Sequence, residues 1–184
     1  MTCLGSDPDQ AALLGLVRVP GQGEVFSSRS GAPKAYLFDT RGATSNLPLR
    51  EFLVAELVRA TGHFRPQVIG GVAKSGTVWG AWLAWQIGLP FANILLAGPR
   101  SSGLQREVEG MIEGLSVLLV DNWVHSGESL AQAVEVVRRN RGIVCGALSL
   151  VARPPGLLTH PFACLYAEDT LVESATRIGL LQQS

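Results

Sequence analysis

Val117-Leu-Leu-Val-Asp-Asn-Trp-Val-His-Ser-Gly-Glu-Ser-Leu130, running on into Ala131-Gln-Ala-Val-Glu-Val-Val-Arg138, decides the fold. Val117 to Val120 form an unbroken apolar run, which suits a strand buried on both faces of a parallel sheet. Asp121 falls where that strand is expected to leave the sheet. A polar loop with Ser126, Gly127 and Ser129 follows, and Leu130, Val134 and Val137 then recur at helical spacing. Strand, Gly-containing loop and helix N-terminus together suit a phosphate. The first N–H groups of the helix lack intrahelical acceptors, and the helix dipole favours an anion there. Ser126 and Ser129 add hydroxyl donors, and Gly127 lets the backbone approach a ligand closely. An acid just before this cradle suits sugar hydroxyls or a metal. The same pattern also fits an ordinary βα unit in which Ser and Asp only cap a helix.

Outward from that stretch, the composition sets limits. A chain of 184 residues is long enough to bury a core without disulfides or a structural metal. Its formal net charge is zero, with no basic footprint for nucleic acid or an anionic membrane. The three cysteines lack CxxC spacing, which argues against disulfides and a zinc site and for a reducing cytosol. The N-terminus lacks the basic-then-apolar order of a signal peptide. The most apolar region, 78–96, is interrupted by Gln86, Gly88 and Pro90 and does not read as a membrane span. We expect one domain over 1–184, with an N-terminal helix and hood over about 1–45 and a core over about 46–184.

In chain order, residues 9–18 read as a short helix and 25–41 as two strand-like pieces about a turn at Ser30-Gly31. Pro48 to Thr61 carries an apolar helical face. Val68-Ile-Gly-Gly-Val-Ala-Lys-Ser-Gly-Thr77 is a second strand, Gly-rich loop and helix junction, whose backbone N–H groups can bind oxyanions whatever the side chains are. On the helix over 77–87, Trp79, Trp82 and Trp85 do not stay on one narrow face. Two are expected in the core and one at a subunit contact. Strands are expected over 89–96, 142–151 and 162–167, and a closing helix over 169–181 with Asp169 or Thr170 as its cap.

The central stretch resembles the phosphoribosyl-pyrophosphate (PRPP) motif of type I phosphoribosyltransferases: an apolar run, paired acids, then a Ser/Thr-Gly loop. The second acid is replaced by Asn122. Gly71, Ala73 and Gly76 match the family's pyrophosphate loop, with Ser75 where a Lys is usual and Lys74 beside it. Phe26 to Phe38 resembles the hood of orotate phosphoribosyltransferases, with Arg29 at a Lys position and Tyr36 and Phe38 at aromatic positions. Both aromatics also fit a hood core. Residues 97–110 align with that family's mobile catalytic loop through Gly103, Glu109 and Gly110. Its cations are depleted: Ala97 and Ser102 stand for a Lys and the His, and Arg100 for the other Lys. Arg153 falls where the family pairs an Arg with the base's carboxylate, although a solvated loop Arg fits the position as well.

The resemblance implies an α/β fold, a central mainly parallel sheet flanked by helices with a small N-terminal hood and ligands at the C-terminal strand ends. It implies transfer of 5-phosphoribosyl from PRPP to a nitrogenous base, orotate or a relative, in pyrimidine nucleotide synthesis or salvage, with Mg2+ as cofactor. Asp121 would hold ribose hydroxyls and, indirectly, the metal; Asn122 hydrogen-bonds without adding charge. Residues 125–129 (His125, Ser126, Gly127, Glu128, Ser129) would take the 5-phosphate. Residues 71–76 would take the pyrophosphate and Arg100 the leaving group, with Arg29, Phe38 and Arg153 at the base. A protonated His125 would assist an anion, while its bulk narrows the pocket. The implied partners are PRPP and a nucleobase, in a cytoplasmic homodimer without nucleic acid or membrane. Loss of loop cations predicts slow turnover, altered chemistry or none, because neutralising charge that develops in the transition state is usually the largest catalytic contribution. A silent PRPP- or nucleotide-binding regulator is the alternative. A dinucleotide oxidoreductase is disfavoured, because no GxGxxG follows the first strand.

Overall fold

A computed structural model describes residues 2–4, 10–27, 31, 33–96, 106–153 and 159–181. The N-terminal part is made of short pieces: β1 (Thr2–Cys3), α1 (Gln10–Leu16), β2 (Val17–Arg18), β3 (Phe26–Ser27), β4 (Pro33–Lys34) and β5 (Leu37–Phe38). The expected hairpin is present as β3 against β4. Its second arm is not continuous, because Leu37–Phe38 turns back to pair with β2. β1 leaves this segment and adds to the edge of the main sheet.

Asn46 starts α2 (Leu47–Thr61), its Oδ1 accepting from the Leu49 N–H at 3.3 Å with Pro48 in the first turn. Then follow β6 (Val68–Val72), α3 (Ser75–Ile87), β7 (Phe91–Ile94), β8 (Val108–Glu109) and β9 (Ser116–Val124). The chain continues through α4 (Glu128–Arg139), β10 (Ile143–Ala152), β11 (Phe162–Ala167) and α5 (Glu168–Arg177). The closing helix begins at Glu168 with Ala167 as N-cap and no side-chain cap, so neither Asp169 nor Thr170 has the expected capping role.

The main sheet has seven strands in the order β1-β11-β10-β9-β6-β7-β8. All its pairings are parallel except the edge pair β7–β8. Val117, Leu118, Leu119 and Val120 are fully buried, as the unbroken apolar run predicts. They divide between two cores. Leu118 and Val120 pack with α1, α2, α3 and α5, while Val117 and Leu119 join Leu130, Ala133 and Val137 of α4. Of the tryptophans on α3, Trp79 is buried, Trp82 is half-buried with the Arg50 guanidinium 4.8 Å above its ring, and Trp85 is 80% exposed. Cys3 and Cys164, far apart in sequence, are register partners with their Sγ atoms 3.3 Å apart as free thiols.

β6 and β9 are neighbours, but the chain leaves β6 toward β7 and leaves β9 toward β10, on opposite sides. Such a reversal of strand order opens a crevice at the carboxyl ends of the two strands.

Candidate active site

The loop after β6 and the loop after β9 open into one cleft of about 650 Å³. Residues 73–75 line one side and 121–130 the other, with Ser27, Lys34 and Arg41 contributed by the N-terminal segment. Of the sequence-predicted residues, Ala73, Lys74, Ser75, Asp121, Asn122, His125, Ser126, Gly127, Glu128 and Ser129 come together there. Arg29 and Arg100 lie outside the described residues.

α4 begins on Gly127, whose φ of 86° lies in the left-handed region that glycine enters without penalty. Its carbonyl accepts from the Ala131 N–H at 2.9 Å, closing the first turn. Ser126 Oγ accepts from the Glu128 N–H at 3.4 Å. On the facing loop only Ala73 and Lys74 separate β6 from α3, and the peptide between them is cis. Arg41 Nε donates to Ser75 Oγ at 2.9 Å, which ties the N-terminal segment to that loop.

Two predicted glycines act through packing. A Cβ on Gly71 would sit 2.8 Å from both the Phe91 ring and the Thr77 Cα, so Gly71 lets α3 lie close on β6 and does not line the cleft. A Cβ on Gly76 would collide with the Val120 carbonyl oxygen and approach the Asp121 Cα at 2.9 Å. Gly76 therefore brings the start of α3 directly against the strand that bears the acid.

Asp121 does not end its strand. β9 continues to Val124, and Asp121 pairs in register with Ser149 of β10. The side chain is buried, and Oδ1 accepts from the Asn122 N–H at 2.8 Å. Burial pushes its pKa up to about 7, because a carboxylate loses hydration there; the single backbone hydrogen bond only partly opposes this. Asn122 points instead to the N-terminal segment, its Nδ2 donating to Thr40 Oγ1 at 2.6 Å.

Trp123, which also lines the cleft, is half-buried beneath the Lys34 ammonium, which lies 5.0 Å from the ring centroid. Phe38 does not face this space as a base contact. It is 5% exposed, belongs to the core, and packs edge-on against Trp123 at 5.5 Å, because β5 turns its side chain inward. Arg153 is not a free guanidinium either. Its Nη2 donates to Glu168 Oε1 at 2.6 Å and its Nη1 to His125 Nε2 at 2.9 Å. Arginine cannot accept, so His125 must present Nε2 as the acceptor.

Sequence reading missed Lys34, Thr40, Arg41 and Glu168 as parts of this region. Lys34 and Arg41 fall in the segment read as a hairpin and hood, and their basic charge was the available signal. Glu168 gave none, because acids in the first turn of a helix are ordinary.

Comparison with known proteins agrees with this geometry. No family model matches the chain. It is 30% identical over 129 residues to an orotate phosphoribosyltransferase of Pyrobaculum calidifontis, covering 70% of this chain and 67% of that protein. It is 32% identical over 130 residues to one of Bacteroides fragilis, covering 69% of this chain and 59% of that protein. The match thus spans between 59% and 67% of these relatives' own length. The crystal structure of orotate phosphoribosyltransferase from Aeropyrum pernix superposes with a TM-score of 0.73 at 24% identity, over 90% of this chain and 98% of that one. A Mycobacterium tuberculosis orotate phosphoribosyltransferase gives 0.74 at 22% identity, over 90% of this chain and 99% of that one. Sequence and fold agree, and the chain belongs to the orotate phosphoribosyltransferase family.

Proposed function

We propose that the cleft binds PRPP and transfers its 5-phosphoribosyl group to a nitrogenous base, orotate or a relative, releasing pyrophosphate, as in pyrimidine nucleotide synthesis. One observation carries this reading: two anion-suited loops, on neighbouring strands β6 and β9, open into one cleft with a buried acid between them. Residues 125–129 hold the 5-phosphate on the N-terminus of α4. Residues 73–76, with Lys74 and Arg41, hold the pyrophosphate. Asp121 accepts from the ribose hydroxyls. Positive charge growing on the ribose as the bond to pyrophosphate lengthens favours its ionised form. By the resemblance of its loop to that of the family, Arg100 takes the leaving group. Such a transfer asks for little covalent work from side chains and much positioning.

Mg2+ fits this site as an ion carried by the substrate. Among the described residues no group of three or more His, Cys, Asp or Glu side chains is arranged to hold a metal. A small hard cation bound by substrate phosphates needs only one or two protein carboxylates. Asp121 supplies one, directly or through water, and Asn122 adds no charge. When bound, the ion neutralises charge on the departing pyrophosphate. The same reading makes the protein a cytoplasmic homodimer, to be checked by sedimentation and fractionation. No helix of the described residues is long and apolar enough to cross a membrane.

Calorimetry with PRPP, with and without Mg2+, followed by pyrophosphate release over a panel of bases including orotate, tests the proposal. Binding strengthened by Mg2+ together with release for at least one base is expected. Failure to bind PRPP overturns the reading, and binding without release for any base leaves the alternative of a silent sensor.

A further inference from the structure

Two thiols that the cleft does not use meet at the edge of the main sheet. Cys3 of β1 and Cys164 of β11 are register partners in a parallel pair, so both side chains leave the same face of the sheet. Their Sγ atoms stand 3.3 Å apart across a sequence separation of 161 residues. Neighbouring strands lie about 4.8 Å apart, inside the Cα spacing of about 4.4–6.8 Å that a disulfide spans. Little backbone movement is therefore needed to bring the two sulfurs into bonding distance. The two environments differ. Cys3 is exposed, whereas Cys164 is fully buried. Burial raises the Cys164 thiol pKa and the contact with Cys3 adds to the rise, so Cys164 stays protonated and closed to reagents in solution. Neither thiol lines the cleft. The third cysteine, Cys145, is half-buried on β10. β1 is itself a slight element: both its residues are exposed, and it is held by its pairing with Ala163 and Cys164 and by the Leu4 N–H, which donates to the Cys164 carbonyl at 2.9 Å.

We propose that Cys3 and Cys164 form a redox-modification site: hydrogen peroxide oxidises the exposed thiol, the buried thiol resolves it, and the resulting disulfide staples β1 to the sheet. In the first step the Cys3 sulfur attacks the peroxide, the O–O bond breaks, and Cys3 becomes a sulfenic acid with release of one water. In the second the Cys164 sulfur attacks the Cys3 sulfur, the S–O bond breaks, and the departing hydroxide takes the Cys164 proton to leave as a second water. Two thiols thus give up two hydrogens and two electrons, and the peroxide accepts them. Exposure sets the order, because an oxidant in solution meets Cys3 and reaches Cys164 only through it. A resolving thiol already in contact acts at high effective concentration, which favours ring closure over further oxidation of Cys3 to the sulfinic acid. The pair is reduced at rest and closes when the oxidant arrives. Closing so long a loop removes freedom from the unfolded chain, and the bond fixes the strand that covers the outer edge of β11.

The test exposes the reduced full chain to graded hydrogen peroxide, then alkylates the remaining thiols in urea for intact mass and peptide mapping, with thermal melting run in parallel. The expected product is a single chain lighter by two hydrogens, with the Cys3 and Cys164 peptides linked and Cys145 alone alkylated. Its melting temperature should rise by about 5 °C or more and return to the starting value with dithiothreitol. Cys3→Ser, a change at an exposed position, should abolish both the linkage and the rise. Three alkylated thiols after treatment overturn the proposal, as does linkage between two chains or a sulfinic Cys3 beside an alkylated Cys164. A linked protein with an unchanged melting temperature overturns it too, as does a Cys3→Ser variant that keeps the peroxide-dependent rise. None of these readouts uses PRPP or a base, so the outcome is independent of how the cleft is read.

Discussion

Asn122 Nδ2 donates to Thr40 Oγ1 at 2.6 Å, which joins the strand carrying the acid to the N-terminal segment. Thr40 is 1% exposed, so its hydroxyl has little access to water if the amide is removed. Asn122→Ala and Thr40→Val should each cost about 1 kcal/mol in urea unfolding, and the double variant should cost less than the sum, because the pair is a single hydrogen bond. Asn122→Asp should keep the contact, with the Thr40 hydroxyl turning to donate. The added carboxylate should increase the enhancement of PRPP binding by Mg2+, measured as the ratio of affinities with and without the ion.

Asp121 gives the protein a pH-dependent stability of definite sign. Burial raises its folded pKa to about 7, above the ordinary carboxylate value of 3.8, so the folded state holds the proton more tightly than the unfolded chain does. Its contribution is complete below about pH 4 and is lost as pH rises through about 7. The difference amounts to something on the order of 4 kcal/mol. Asp121→Asn should remove that slope. The variant should be more stable than wild type at pH 8 and closer to it at pH 5, while PRPP binding falls. Urea midpoints at the two pH values check the first part, and calorimetry the second.

Gly76→Ala should be costly, because the obstacles to a Cβ are the backbone of Val120 and Asp121 and not the tip of a flexible side chain. A loss of about 1–3 kcal/mol is expected, as for other overpacked sites, together with weaker PRPP binding from displacement of the start of α3. Gly62→Ala is the control. There φ is −56° and the nearest atom is 3.5 Å from the added carbon, so little change is expected by thermal melting.

Arg41, bonded to Ser75 and lining the cleft, should matter for anion binding more than for the fold. Arg41→Ala should weaken PRPP about tenfold or more, as expected for loss of a charged hydrogen-bonding partner, and should flatten the salt dependence of binding. Arg41→Lys should recover only part, since an ammonium lacks the planar fork. Titrations at two salt concentrations measure both effects.

What could be read from the sequence follows from which signals are local. Val117 to Val120 showed themselves because a strand buried on both faces has no polar alternation, and α4 because Leu130, Val134 and Val137 keep the helical period. The true end of β9 did not. Asp121 and Asn122 interrupt the apolar run and read as its end, while the backbone goes on pairing through Trp123 with Val151. Ladder hydrogen bonds do not depend on side-chain polarity. Arg153 was noticed, but it follows β10 while its partner Glu168 opens α5 beyond β11, and no spacing rule links the two. Phe38 looked the same as a ligand-facing aromatic because the alternation of a two-residue strand cannot be counted.

β9 runs on beyond Asp121, so the acid and the amide stand on consecutive rungs of a ladder, facing opposite sides of the sheet. Slipping the strand by one residue against β10 and β6 so that the amide takes the acid's place would carry the acid to the place of Val120, which is fully buried. A one-residue deletion between Val117 and Val120 would thus empty the site of its acid and set a carboxylate in the apolar core. The identity of the site is written in the alignment of strands as much as in the side chains they carry.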